Sequence, residues 1–335
     1  MPSGDAVPAG EPVLTGDAVL TGDAGLSTRH QSLDGLARSL GATTVPDHPL
    51  GALTTYRVGG TAALFEEVAD EDRLLEVARC VAGTDVPVLV LGRGSNLLVA
   101  ERGFDGLVVT LGPAFDTVVF DGVDARAGAA LSLPVLARRS VAAGLTGLEW
   151  AVGVPGSVGG AIRMNAGGHG SDTASTLVEY RWVDLSSGTG GRSPVGALLA
   201  GYRHTALTPA QVVTGGTFRL RPGEAADGAA TIAEIVRWRR ANQPGGSNAG
   251  SVFANPIDDS AGRLIDACGL KGVRVGTAVV SDKHANFIQA DPGGSADDVL
   301  ALIEHVRTVV AERTGVLLRT ELRLVGFPDA DEVSP

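Results

Sequence analysis

Gly147 to Gly170 reads GLEWAVGVPGSVGGAIRMNAGGHG, and its inner residues Gly153-Val154-Pro155-Gly156-Ser157-Val158-Gly159-Gly160 carry four glycines in eight positions. Glycine at that density lets a backbone turn with positive φ and press its N–H groups against a ligand with no Cβ in the way. Successive N–H groups in such a turn form an anion-binding concavity suited to a phosphate or pyrophosphate. A flexible connector is glycine-rich too, but Val152, Val154, Val158 and Ile162 are interleaved here, as in a buried, ordered loop. The stretch is therefore expected to be a cofactor-phosphate loop, with the lone basic residue Arg163 just beyond it.

Upstream of this loop, residues 132–144 predict a helix with Ser132 as N-cap, Pro134 early and Gly144 at its end. Before it, residues 32–40 predict a short helix, 64–69 a strand and 71–83 a helix with acids in its first turn. Residues 87–91 form a β-rich run that stops at Gly92-Arg93-Gly94-Ser95-Asn96, and further short strands are expected at 97–99 and 107–111. Gly92 and Gly94 match two glycines of the dinucleotide fingerprint, but Leu97 stands at the third position and no helix pattern follows. A Rossmann fold is therefore not expected. Downstream, 177–185 and 212–220 alternate as strands with a turn-rich stretch at 186–194 between them. Residues 230–240, 260–268 and 295–314 predict helices, and 273–280 a strand. The ordered chain closes on residues 316–326, whose alternation puts Arg319, Glu321 and Arg323 on one strand face. That pattern is either a surface ion-pair stripe or a wall of a site.

The 335 residues suffice for two or three domains. A formal net charge of -11 disfavours nucleic acid or an anionic membrane surface as the main partner. Cys80 and Cys268 make neither a disulfide framework nor a metal cluster. No apolar run has membrane-span length and no signal-peptide pattern opens the chain, so the cytoplasm is the expected location. Residues 1–30 contain two tandem copies of Val-Leu-Thr-Gly-Asp-Ala, at 13–18 and 19–24, and are expected to form a disordered tail.

Read together, several motifs resemble those of the UDP-N-acetylenolpyruvoylglucosamine reductase family. They are Thr55-Tyr56-Arg57-Val58-Gly59-Gly60, Leu91 to Leu98, Gly153 to Ala161, Arg163-Met164-Asn165-Ala166-Gly167 and Tyr202-Arg203. They continue through Ala249 to Phe253 with Asn255-Pro256, Gly269 to Gly272, and Gly315 to Glu321. The match runs in order from about Ala52 to Gly326. The resemblance implies an α+β protein. An FAD-binding domain of the vanillyl-alcohol-oxidase type is expected at 47–222, in two subdomains of about 47–112 and 113–222. A C-terminal α+β substrate domain is expected at 229–327.

It further implies FAD and NADPH as cofactors, a UDP-sugar substrate, no metal, and a monomer. The activity implied is reduction of the enolpyruvyl ether of UDP-N-acetylglucosamine to UDP-N-acetylmuramate, a step of peptidoglycan synthesis. By the same resemblance, Ser251 is the proton donor, and Arg163 and Glu321 stabilise the enolate-like intermediate. FAD contacts fall to Tyr56, Arg57, Gly92, Arg93, Gly94, Ser95, Asn96, Gly153, Val154, Pro155, Gly156, Ser157, Gly159, Gly160, Ile162, Asn165 and Gly167. Substrate contacts fall to Tyr202, Asn255 and Arg239. The chain departs from the family pattern at Asn242 and Ala254, where lysines are usual, at Thr205, and at Arg93 in the first glycine turn. The lost lysines leave open a paralogue acting on a different enolic or nucleotide-sugar substrate.

Overall fold

The computed structural model describes residues 32–328, so the repeat-bearing segment at 1–30 lies outside the described residues. In the first part, helix α1 (32–40) precedes β1 (Val45–Pro49), β2 (Thr61–Val68), α2 (Glu71–Val81), β3 (Val88–Val90), β4 (Leu97–Val99) and β5 (Phe104–Leu111). Strands β1, β2, β5 and β3 form one sheet in that order, parallel except for β1. Its faces are sorted by the two-residue period of a strand. Leu107 and Val109 of β5 face α1 and α2, whereas Val108 faces Leu50, Leu91 and Val325 on the other side. Asp70 caps α2 by accepting from the Arg73 amide at 2.9 Å.

Next come β6 (Val118–Asp121), β7 (Asp124–Gly128), α3 (Leu133–Ala142), β8 (Leu145–Thr146), α4 (Val158–Met164), β9 (Gly167–Gly168), β10 (Ser171–Asp172), β11 (Leu177–Asp184), β12 (Thr189–Pro194), β13 (Gln211–Arg219) and β14 (Arg221–Pro222). A five-stranded antiparallel sheet runs β12-β11-β13-β7-β6. The segment expected as turn, 186–194, thus contains an edge strand of this sheet: β12 pairs with β11 from Asp184↔Thr189 to Glu179↔Pro194. Its composition, TGGRSP, hides the strand because an exposed edge needs no apolar alternation. Helix α3 starts after Ser132 as expected, although the Ser132 side chain makes no capping hydrogen bond.

The last part holds α5 (Ala225–Asn242), α6 (Ala261–Ala267), β15 (Arg274–Val275), β16 (Ala278–Val280), β17 (Ile288–Ala290), α7 (Ala296–Thr314) and β18 (Arg323–Val325). The strand expected over 273–280 is a hairpin, β15 and β16, turned at Gly276 with φ +49°. Helix α5 is longer than its periodicity predicts, because Gly228 packs on Val141 of α3 and extends the helix backwards. Of the expected closing strand, only Arg323–Val325 is regular, and it pairs in parallel with β4 far upstream. That pairing, and the burial of Tyr56, Val58, Leu98 and Ala100 among α6, α7 and β16, knit the first part to the last.

Candidate active site

The two glycine turns lie against each other. A Cβ on Gly92 would stand 2.7 Å from Ser157 Oγ, and one on Gly156 would stand 3.6 Å from Ser95 Oγ. Gly94, at φ +57°, lies on the Leu53 carbonyl where a Cβ would come within 2.3 Å. Among the described residues, the N–H groups of Gly92 to Asn96 and of Gly156 and Ser157 donate to no protein group. Next to them opens a cavity of about 480 Å³ lined by Gly92, Arg93, Ser157, Gly160 and Arg163. Thr110, another lining residue, has a buried hydroxyl with no partner. Unused backbone donors beside a polar-ended cavity are the donor set that a pyrophosphate requires.

The central loop itself differs from expectation. Gly153, Gly156, Gly159 and Gly160 all have ordinary φ, and the stretch is a 3-10 turn (Glu149–Gly153) followed by the start of α4. The amides of Val158, Gly159 and Gly160 are spent on Leu131 O, Ala129 O and Ser157 Oγ. Gly159 is needed for packing, since a Cβ there would meet Ala129 Cβ at 2.9 Å. The open donors therefore belong to the first turn and to Gly156-Ser157, not to the whole glycine run. Several other expected cofactor residues have side chains committed to the protein. Tyr56 is fully buried with an unpartnered hydroxyl, its pKa pushed up by burial. Ile162 is buried in the core against Gly216. Asn165, the left-handed C-cap of α4, donates to Asp172 and Gly201 and accepts from Ala174. Arg57 sits at φ +58° with its amide on Thr54 Oγ1, and Val154 and Pro155 bridge the 3-10 turn to α4.

A second constellation gathers around Glu321. Its amide donates to Val252 O at 2.8 Å, one residue from Ser251, and its carbonyl accepts from Asn96 Nδ2 at 3.1 Å. Its carboxylate takes a charge-assisted hydrogen bond from Arg203 Nε at 2.7 Å. The stripe with Arg319 and Arg323 is therefore absent: the irregular backbone at 316–322 gives Glu321 a partner from a distant turn. Burial raises the Glu321 pKa and Arg203 pulls it back, burial prevailing. Tyr202 stands beside this pair. Partial burial first, then the Glu321 charge, raises its pKa, against a smaller opposing pull from Arg203 and the Asn255 backbone. Asn255 spends its Oδ1 on the Ala261 amide at the start of α6. Ser251 follows Gly250, whose amide bonds Asn248 Oδ1, and its hydroxyl has no partner among the described residues.

Arg163, in the last turn of α4, lines the cavity and donates to the carbonyls of Thr208 (2.9 Å) and Gln211. Burial and the neighbouring Arg323 charge push its pKa down to about 10, so it stays cationic at neutral pH. Arg239, expected as a substrate contact, donates from Nε to Oε1 of Gln243, the C-cap of α5, at 2.7 Å. The lysine-position residue Asn242 bonds back to Trp238 O, closing α5. Arg203 lies in the Tyr202-Arg203 motif, but nothing in the sequence pairs it with Glu321. Asn286 carries no signal of its own; it bonds both the Phe253 amide (3.0 Å) and carbonyl (2.8 Å) and so fixes the segment after Ser251.

Glycine turns, a cavity with open phosphate donors and a half-buried acid–base cluster define a flavin-binding oxidoreductase, and a family model described as an FAD binding domain matches residues 62–190. A second, described as the C-terminal domain of UDP-N-acetylenolpyruvoylglucosamine reductase, matches 242–325. UDP-N-acetylenolpyruvoylglucosamine reductase 2 of Symbiobacterium thermophilum is 42% identical over 83% of this chain and 91% of its own length. The reductase of Rubrobacter xylanophilus is 40% identical over 88% of this chain and 99% of its own. The crystal structure of the Thermus caldophilus reductase superposes with a TM-score of 0.73 at 35% identity, covering 84% of this chain and 98% of that one. The chain belongs to the UDP-N-acetylenolpyruvoylglucosamine reductase family. The expected α+β class with an FAD-binding domain is borne out by these matches. None of the helices among the described residues is long and apolar enough to cross a membrane.

Proposed function

We propose that this chain reduces the enolpyruvyl ether of UDP-N-acetylglucosamine to UDP-N-acetylmuramate, with NADPH as reductant. The observation that carries the reading is the Glu321 amide bond to Val252. It brings the candidate acid, the Ser251 segment and Asn96 of the flavin turn into one place. Bound FAD would accept hydride from NADPH and return it to the substrate's methylene carbon. The open amides of Gly92 to Asn96 and of Gly156 and Ser157 would hold its pyrophosphate. Arg163, cationic at neutral pH, would face the substrate carboxylate, where negative charge grows as hydride arrives. Glu321, whose burial favours the protonated form, would donate a hydrogen bond to the same charge. Ser251, with its hydroxyl uncommitted, would give the proton to the adjacent carbon. Tyr202 and the Asn255 backbone would close on the nucleotide end.

The domain division expected from the sequence, 47–222 and 229–327, is retained as part of this reading. It is supported by the two matched regions and by the sheets β12-β11-β13-β7-β6 and β15-β16-β17 on either side of 222, with β18, alone among the described strands, returning across it to β4. A cytoplasmic monomer completes it. The relatives' names do not favour a paralogue with a different substrate, and Asn242 has a structural use in closing α5. Anaerobic visible spectra test the reading. NADPH should bleach the purified yellow protein and the enolpyruvyl sugar nucleotide should restore the colour. Ser251→Ala should bleach normally yet recover about 10²–10⁴ times more slowly, the usual cost of losing a positioned proton donor. A colourless protein, or bleaching without recovery on that substrate, refutes it.

A further inference from the structure

Arg203 is held from every side before it reaches Glu321. It occupies the tip of a tight turn closed by mutual backbone bonds between Gly201 and His204, with its own φ at +56°. That turn is pinned to the end of α4 at two points: Asn165 Nδ2 donates to Gly201 O at 3.1 Å, and Thr205 Oγ1 to Arg163 O at 2.6 Å. The guanidinium then divides its fork. One terminal nitrogen donates to Gly167 O at 2.9 Å and Nε to Glu321 Oε1 at 2.7 Å, while the Tyr202 ring lies 5.1 Å from its central carbon. A planar, delocalised fork with two fixed acceptors loses little further freedom on binding the carboxylate. Among the described residues, Glu321 Oε2 accepts no hydrogen bond, so the carboxyl is gripped by one oxygen and open at the other.

We propose that Arg203 is a positioning residue for Glu321: the clamped turn at 201–204 holds the carboxyl by Oε1 and presents Oε2 to the substrate. The same turn is tied to the backbone of Arg163 and Asn165, so the two groups that meet the substrate's developing charge are indexed to one another. The inference rests on the role given to Glu321 above. Misplacing a reacting group by about an ångström costs on the order of 100-fold in rate, which sets the size of the expected effect.

The test is a double-mutant cycle on the FAD-loaded enzyme, using Arg203→Gln, Glu321→Gln and both together, with the enolpyruvyl sugar nucleotide as substrate. Arg203→Gln is expected to lower kcat by about 10- to 100-fold while KM changes less than about threefold. The pH limb of kcat that Glu321→Gln abolishes should move to higher pH, because the lost cation favoured the carboxylate. In the Glu321→Gln background the second substitution should cost under about threefold, since its effect runs through the missing carboxyl. Arg203→Lys, which keeps the charge but not the fork, should retain the wild-type pH limb and recover part of kcat. It also serves as the measurable variant if the glutamine form does not fold. Equal losses in both backgrounds, or a rise in KM alone, would overturn the inference by making Arg203 an independent substrate contact. Wild-type kcat in Glu321→Gln would instead overturn the Glu321 assignment, and an unaltered rate of flavin bleaching by NADPH in all variants separates either failure from loss of the cofactor site.

Discussion

Asn286 shows how much of this site hangs on one neutral amide. Its side chain bonds the Phe253 amide and carbonyl, its carbonyl takes the Val252 amide, and its own amide donates to His284 Nδ1 at 3.3 Å. The last of these bonds needs an unprotonated Nδ1. Burial, ahead of the Lys271 charge, lowers the His284 pKa below its usual 6.5. A depressed folded-state pKa means that the histidine contributes stability above its unfolded value, and this is lost as pH falls through the folded value. The melting temperature of the protein is therefore expected to decline as pH is lowered from 7 to below 6 more steeply than that of His284→Gln. Parallel declines in thermal scans would show that His284 does not couple to folding. The sequence announces Ser251 and Glu321 through their motifs. Asn286 and Arg203 lie 35 residues downstream of the one and 118 upstream of the other, and only folding makes them neighbours.

Among the elements, the turn after β3 is the one that tolerates least. Gly94 combines positive φ with an approach to Leu53 O that leaves a methyl group 2.3 Å from the oxygen. An alanine there meets both a steric and a conformational cost, together a few kcal/mol. Gly94→Ala should purify with visible absorbance per protein well below wild type, while far-ultraviolet circular dichroism stays close to native. Full flavin content in that variant would remove the turn from the cofactor site. The glycine run at 153–160 was legible as important, but its geometry was not. Glycine density predicts positive φ, whereas here it serves helix α4, whose glycines let the backbone close on Ala129 and Val213. Composition cannot distinguish those two uses, because both demand the absence of a Cβ.

Over the whole molecule, the first sheet is anchored by a charge in its core. Glu66 of β2 is fully buried and receives Arg73 Nε (2.9 Å), Thr43 Oγ1 (3.0 Å) and Thr44 Oγ1 (2.7 Å), while Arg73 also bonds Leu40 O. Removing one partner of a buried pair leaves the other uncompensated, at about 3–5 kcal/mol. Arg73→Ala should lower the unfolding free energy measured in denaturant correspondingly, and Arg73→Ala with Glu66→Gln should recover part of the loss; an unfolding free energy of Arg73→Ala within about 0.5 kcal/mol of wild type would show the network to be dispensable. What the sequence by itself determined were the short-range features. These are the helices with their caps at Asp70 and Ser295, the period-two sorting of β5, and the motif residues, because each depends on neighbours a few positions away. Tertiary structure alone decided the edge strand β12, the return of β18 to β4, the partner of Glu321 and which amides stay open. The return of β18 and the partner of Glu321 depend on contacts between segments that the chain separates by more than a hundred residues, while β12 has its partner β11 close by but shows no apolar alternation, so local pattern carries no record of either.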